Sequence, residues 1–134
     1  AAAQGRAALM GEPVPADRKR VWKTPPGVTL CAEADIADPG SRGFVLQIGE
    51  AFFHGFVVRK AGQVAGYVDR CPHQGFPLAV ELDRYLTPDG DLILCGWHGA
   101  VFTPLTGACV GGPCAGAKLT SWPVVADNGV IRTA

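Results

Sequence analysis

The sequence predicts an all-β fold: an antiparallel β-sandwich or barrel with a loop-built site inserted into it. Three observations carry this. Eighteen glycines and eleven prolines in 134 residues break the chain into short segments and disfavour long helices. Runs of β-branched and aromatic residues recur at short spacing, separated by turn residues. A Cys/His-bearing stretch, Cys71 to Pro113, interrupts that series of runs and is rich in Gly and Pro.

Taken in order, residues 1–17 read as a loose N-terminal arm, alanine-rich and then broken by Pro13 and Pro15, with room for a short helix from Gln4 to Met10. Residues 18–134 read as one domain. Strand signals lie at Val28–Glu33, Phe44–Ile48, Phe52–Arg59, Gln63–Asp69, Glu81–Leu86, Asp91–Leu94, Val101–Thr103, Lys118–Val125 and Val130–Thr133. Asp38-Pro39-Gly40-Ser41 is a turn cluster. Lys60-Ala61-Gly62, Thr87-Pro88-Asp89-Gly90 and Asp127-Asn128-Gly129 are hairpin signals. Pro104 to Gly107 is a further turn.

Composition excludes several functions. Twelve basic residues balance twelve acidic ones, so no net charge is available to hold nucleic acid or an anionic membrane. No run approaches the roughly 18 apolar residues of a membrane span. The first ten residues are too broken by Gln4, Gly5 and Arg6 for the apolar core of a secretory signal. Five cysteines, an odd number without an evident disulfide framework, fit the reducing cytoplasm.

Chemistry concentrates in two loops. Cys71-Pro72-His73 and Cys95-Gly96-Trp97-His98 each offer one thiolate and one imidazole. Short spacers let both side chains of a pair face one metal centre, and Pro72, Gly75, Gly96 and Gly99 let the backbone wrap closely. A tetrahedral zinc takes such a ligand set. A two-iron, two-sulfide cluster takes it too, with both thiolates on one iron and both imidazoles on the other. The one-of-each mixture within each loop favours the cluster, because zinc sites more often pair like with like.

The pattern Cys-x-His followed by Cys-x-x-His resembles the Rieske family, and Thr106-Gly107 and Gly112-Pro113 resemble the turn and proline loop that cover the cluster there. The likeness runs from about Val28 to Ile131. It implies a Rieske-like fold with a cluster-binding subdomain over about 70–115 and one [2Fe-2S] cluster per chain. Cys71 and Cys95 would hold the buried iron, and His73 and His98 the outer one. Respiratory-complex relatives have a disulfide-forming cysteine where this chain has Phe76 and Trp97, and hydroxyl donors where it has Ala100 and Phe102. The chain therefore resembles the disulfide-free ferredoxins of bacterial oxygenase systems. The 21-residue spacer from Gln74 to Leu94 is a little long for them, and the Pro88-Asp89-Gly90 turn accounts for the excess.

Ligation by two thiolates and two neutral imidazoles leaves an oxidised cluster formally uncharged, which eases reduction relative to four thiolates. Without hydroxyl donors at 100 and 102 the potential is expected at the low end of the Rieske range, roughly −150 mV. Titration of the outer imidazoles should be easier in the oxidised state, making that potential fall at alkaline pH.

The chain has three histidines: His54, His73 and His98. With two on the cluster, too few remain for a two-histidine, one-carboxylate oxygenase iron. Gly62 to Gly66 lacks the spacing of a dinucleotide loop. The expectation is an electron carrier with no substrate site of its own. It would take electrons from a flavin reductase and give them to a terminal oxygenase, docking near His73 and His98. The alternatives are an accessory small subunit of a reductase such as nitrite reductase, and a zinc-bound structural module.

The remaining candidates have plainer readings. His54 is expected to be a packed or surface histidine and Cys31 a small core residue. Cys109 and Cys114 are expected to be inert packing near the proline loop, or else a redox pair or spare ligands. Trp22 and Trp122 are expected to pack the scaffold. Phe76 and Trp97 are expected to be partly exposed beside the ligands.

Overall fold

The computed structural model describes residues 7–8, 20–70, 78, 83–95, 99–112 and 116–134. Its strands are β1 (Ala7–Ala8), β2 (Thr29–Ala32), β3 (Gly40–Ile48), β4 (Ala51–Lys60), β5 (Gln63–Val68), β6 (Ile93–Leu94), β7 (Val101–Phe102), β8 (Cys109–Gly111), β9 (Val124–Asp127) and β10 (Val130–Thr133). They form three antiparallel sheets, in the orders β1-β3-β4-β5, β2-β10-β9 and β6-β7-β8. The all-β prediction is borne out. Among the described residues no helix is long and apolar enough to cross a membrane.

β4 organises the packing, because both of its faces are buried. Phe53 and Val57 point into one core, with Leu30, Cys31, Phe44, Leu46, Trp122 and Ile131. Phe56 and Val58 point into a second core, with Tyr67, Leu78, Tyr85, Ile93, Cys95 and Phe102. Strand alternation thus links the scaffold core to the core under the Cys/His loops. Each fully buried aromatic or large aliphatic side chain contributes about 1.5–3 kcal/mol.

Trp122 is the centre of the first core, as expected of a scaffold aromatic. Its ring lies 4.7 Å from that of Phe53, centroid to centroid. Its indole N–H donates to Thr24 Oγ1 at 2.9 Å. Gly55 makes room for it, since a Cβ there would stand 2.7 Å from the indole and 2.6 Å from Phe53. Trp22 departs from expectation: it is 45% exposed, in a segment that is bridged through Arg20 to Phe52 of β4.

Two of the hairpin signals close between strands as predicted; at Thr87–Gly90 the described residues of the predicted Glu81–Leu86 strand, 83–86, form no strand and pair only through an isolated Leu86–Ile93 bridge. Ala61 and Gly62 both take positive φ between β4 and β5, and Asn128 and Gly129 do so between β9 and β10. Asp38 caps the first turn, accepting the Ala61 and Gly62 N–H groups at 2.9 and 2.8 Å.

Further local readings differ from the structure. Ala7–Ala8 pairs with Leu46 and Val45 of β3, so this part of the proposed Gln4–Met10 helix is a strand: a sheet edge outweighs a weak alanine propensity. β3 starts at Gly40 inside the turn cluster, drawn into register with Arg59 of β4. The Lys118–Val125 run is not one strand. It covers the edge of β5 through Val68 N–H to Thr120 O and Trp122 N–H to Gly66 O, and Pro123, which has no N–H, precedes β9. β8 was not foreseen, because glycines weaken the strand signal around Val110.

Candidate metal centre

The second ligand loop is closed tightly by its backbone. Cys95 follows β6 and is fully buried. Its N–H donates to Ala100 O at 2.8 Å, and its C=O accepts the Gly99 N–H at 2.9 Å. Gly99 takes φ +74°, which turns the chain back into β7. Ile93 and Leu94 then face Phe102 and Val101 across the β6–β7 ladder. Ala100 and Phe102 are both fully buried beside Cys95, so these two positions offer packing and no hydroxyl.

β8 brings the glycine-rich return against this loop. Gly112, at φ +88°, lies so close that an added Cβ would stand 2.7 Å from Ala100 Cα and 3.0 Å from Gly99 O. Tyr67 holds the preceding turn, donating its O–H to Pro104 O at 2.8 Å, and burial pushes its phenol up to about 12.

The first ligand loop is anchored at its two ends. Asp69 follows β5 and is 2% exposed. Its N–H donates to His54 O at 3.0 Å. Its carboxylate accepts the Leu78 N–H at 2.8 Å and the Tyr85 O–H at 3.0 Å. One side chain thus ties together the residues flanking segment 70–77. Burial raises the Asp69 carboxyl above its ordinary range, opposed by those two hydrogen bonds and by the charge of Arg20. Burial and then Asp69 drive the Tyr85 phenol far up, so it stays protonated as a donor. Phe56 stacks on the Tyr85 ring at 4.2 Å.

Sequence reasoning missed Asp69 and Tyr85. The available signal was an acid ending an apolar strand directly before Cys-x-His. Tyr85→Phe removes one donor from a buried carboxylate and is expected to cost about 1–3 kcal/mol in denaturant unfolding. An unchanged midpoint would show that the bond carries no net stability.

Of the predicted ligands, Cys95 is described; Cys71, His73 and His98 lie outside the described residues, as do Phe76, Trp97, Pro113 and Cys114. Cys31 is buried in the first core, as expected, and its thiol is pushed up chiefly by burial. Cys109 is half-buried in β8, with its thiol donating to Gly111 O at 3.3 Å.

His54 is half-buried in β4, consistent with a packed histidine. Burial, and then Arg20, lower its pKa to about 4. It is therefore neutral in the fold and gains a proton on unfolding at mildly acidic pH. Stability should be complete above about pH 6.5 and fall as pH drops toward 4. His54→Gln should flatten that part of the stability–pH curve, measured by urea unfolding at pH 7, 6 and 5.

Residues 27–124 match the family described as the Rieske [2Fe-2S] domain. Among solved structures, a chain of the complex of reduced oxygenase and oxidized ferredoxin in carbazole 1,9a-dioxygenase is 28% identical, with TM-score 0.62, covering 80% of this chain and 91% of that one. The ferredoxin of carbazole 1,9a-dioxygenase from Nocardioides aromaticivorans IC177 is 21% identical, with TM-score 0.62, covering 80% and 95%. The terminal oxygenase of the same system from the same organism is 20% identical, with TM-score 0.62; the match covers 78% of this chain and 29% of that one. The last two likenesses are of fold. No match is found among curated proteins.

The described part of the site fits the group this family binds. A buried thiolate position, a loop closed over five residues and an approach at Gly112 that excludes even a methyl group suit a compact inorganic cluster held by backbone-wrapped loops. The chain belongs to the Rieske [2Fe-2S] domain family, and its cofactor is a [2Fe-2S] cluster.

Proposed function

We propose that this chain is a ferredoxin-type electron carrier of an oxygenase system, taking one electron at a time from a flavin reductase and delivering it to a terminal oxygenase. The observation that carries the reading is the 28% identity to a chain of an oxygenase–ferredoxin complex, over nearly the whole of that chain. The cluster, when bound, supplies a one-electron relay. Cys71, His73, Cys95 and His98 are the ligands in this reading, within a single domain over 18–134 whose cluster-binding part spans about 70–115. His73 and His98 face the partner, and the protein acts in the cytoplasm.

The chain's own residues then have defined tasks. Cys95 brings a thiolate into the second core, where water is excluded. Asp69, Leu78 and Tyr85 fix the ends of the first ligand loop. Ala100 and Phe102 keep their side of the pocket apolar and withhold hydrogen bonds that would favour the reduced state. Ala100→Ser with Phe102→Tyr is expected to raise the potential from roughly −150 mV. Protein-film voltammetry showing no change, or a fall, would contradict this.

The test of function is reconstitution. The purified protein should be red-brown, and NADH with a flavin reductase should bleach its visible absorption only when both are present. Re-oxidation should then require an oxygenase acceptor. A colourless protein with stoichiometric zinc, or a coloured one that no flavin reductase reduces, would overturn the reading.

A further inference from the structure

We infer that the surface made by Arg20, Trp22 and Arg70, beside the first ligand loop, is a docking surface for a partner protein that presents carboxylates. The inference deepens the carrier reading and rests on it.

Three observations combine here. Trp22 is 45% exposed, and two guanidinium groups lie over its ring: Arg20 Cζ at 4.9 Å from the centroid and Arg70 Cζ at 5.2 Å. Both are within cation–π range. Four other cations among the described residues have a carboxylate of the chain within 4 Å. Arg42 lies 3.8 Å from Asp35, Arg59 3.8 Å from Glu33, Lys60 2.9 Å from Asp91 and Arg132 2.8 Å from Asp127. Those charges are compensated by the chain's own carboxylates, whereas Arg20 and Arg70 share an indole.

The local charge is concentrated although the whole chain is neutral. Among the described residues 20–23, Arg20 and Lys23 supply two cations and no acid, and in sequence Asp17, Arg18 and Lys19 precede them. The segment is tied to the sheet by the Arg20–Phe52 bridge and by the Val21 N–H to Phe52 O bond at 3.0 Å. The acid near Arg20 is Asp69, which is buried and already holds Leu78 and Tyr85. It offsets one guanidinium from below. Arg20 Nε and Nη2 are buried and have no hydrogen-bond partner among the described residues, so the guanidinium that meets solvent most openly here is that of the exposed Arg70. Two like charges fixed on one ring are stabilised by an anion arriving from outside.

The surface is also in the right place. Arg70 directly precedes Cys71 and lies three residues before His73. A chain extends at most about 3.6 Å per residue, so the Arg70 and His73 Cα atoms are within roughly 11 Å of each other. That is inside the footprint of even a small electron-transfer interface. Trp and Arg are the residue types that carry most binding energy at such interfaces, while the outlying charges steer encounter. A neutral chain with a local positive patch selects an acidic protein face rather than nucleic acid, which demands broad positive charge.

The test uses the holo-protein and two one-electron oxidants of opposite charge. Each takes one electron from the reduced protein: hexacyanoferrate(III) becomes hexacyanoferrate(II), and hexaamminecobalt(III) becomes cobalt(II). Stopped-flow rates are compared at about 0.01 M and about 1 M ionic strength. The anion's rate should fall with salt and the cation's should not. Arg70→Glu should shift the anion-to-cation rate ratio about tenfold toward the cation at low salt. A ratio that Arg70→Glu leaves unchanged overturns the inference.

A second readout needs no electron transfer. Iodide should quench Trp22 emission more than caesium does, Arg70→Glu should reverse that order, and Trp22→Phe should remove the difference. Equal quenching by both ions overturns the inference as well. Retention of duplex DNA at physiological salt would overturn it in favour of nucleic acid. The two readings fail separately. A protein with no reducible visible absorption defeats the carrier reading and leaves the quenching test standing. A reducible protein indifferent to probe charge defeats only the docking surface.

Discussion

Cys95→Ala is expected to yield a protein that binds no [2Fe-2S] cluster and shows no visible absorption. The thiolate position is fully buried at the end of β6, and the loop that follows is closed on it from both sides by backbone hydrogen bonds. No water can substitute there, and one iron would be left with a single thiolate. Alanine removes the sulfur without burying a new hydroxyl, so the loss of colour cannot be assigned to an unsatisfied polar group. Cys31→Ala is the control. It deletes a buried sulfur from the other core and should keep the colour while costing stability. Iron and acid-labile sulfide analysis of both variants decides the matter. Colour retained in Cys95→Ala would remove Cys95 from the ligand set.

Gly112→Ala is expected to destabilise the protein by about 2–5 kcal/mol and to weaken cluster retention. Two effects add. A residue with a Cβ pays roughly 1–2 kcal/mol in the left-handed region, where Gly112 sits at φ +88°. The new methyl must also displace the Ala100 backbone, which lies 2.7 Å from its position, and such overpacking costs about 1–3 kcal/mol. Backbone cannot rotate aside as a side chain can, so β8 and the 99–100 turn must separate. Gly116→Ala isolates the first effect, since Gly116 has φ +90° and no described residue within 4 Å of its added Cβ. Denaturant unfolding of the pair measures the steric part as their difference. Equal destabilisation would mean that the approach of β8 to the ligand loop carries no energy.

Much of the scaffold was legible in the chain. β4 and β5 could be placed because Phe52–Arg59 and Gln63–Asp69 flank a turn sequence that tolerates positive φ, and turn chemistry is local. The same holds for β9 and β10 around Asn128–Gly129. The element that failed, the run from Lys118, failed because its pairing depends on the open edge of β5, which is far away in sequence. The Ala7–Ala8 strand failed for the same reason against β3. Propensity is a weak prior, and a long-range partner overrides it.

The site divides in the same way. The candidate ligands, their mixed pairs and the missing hydroxyls at Ala100 and Phe102 are properties of residue type and spacing, so the sequence by itself determined the family and the cofactor. The support of the ligand loops is different. Asp69 meets Tyr85 and Leu78, and Gly112 meets Ala100, only after the sheets have packed. Trp22 was expected inside and lies outside between two arginines, because Arg20 and Arg70 are fifty residues apart and converge only through the β4 pairing of the N-terminal segment. Hydrophobic pattern and metal-ligand spacing are written along the chain. The placement of charge around the site is decided by which strands become neighbours, and that is a property of the tertiary structure alone.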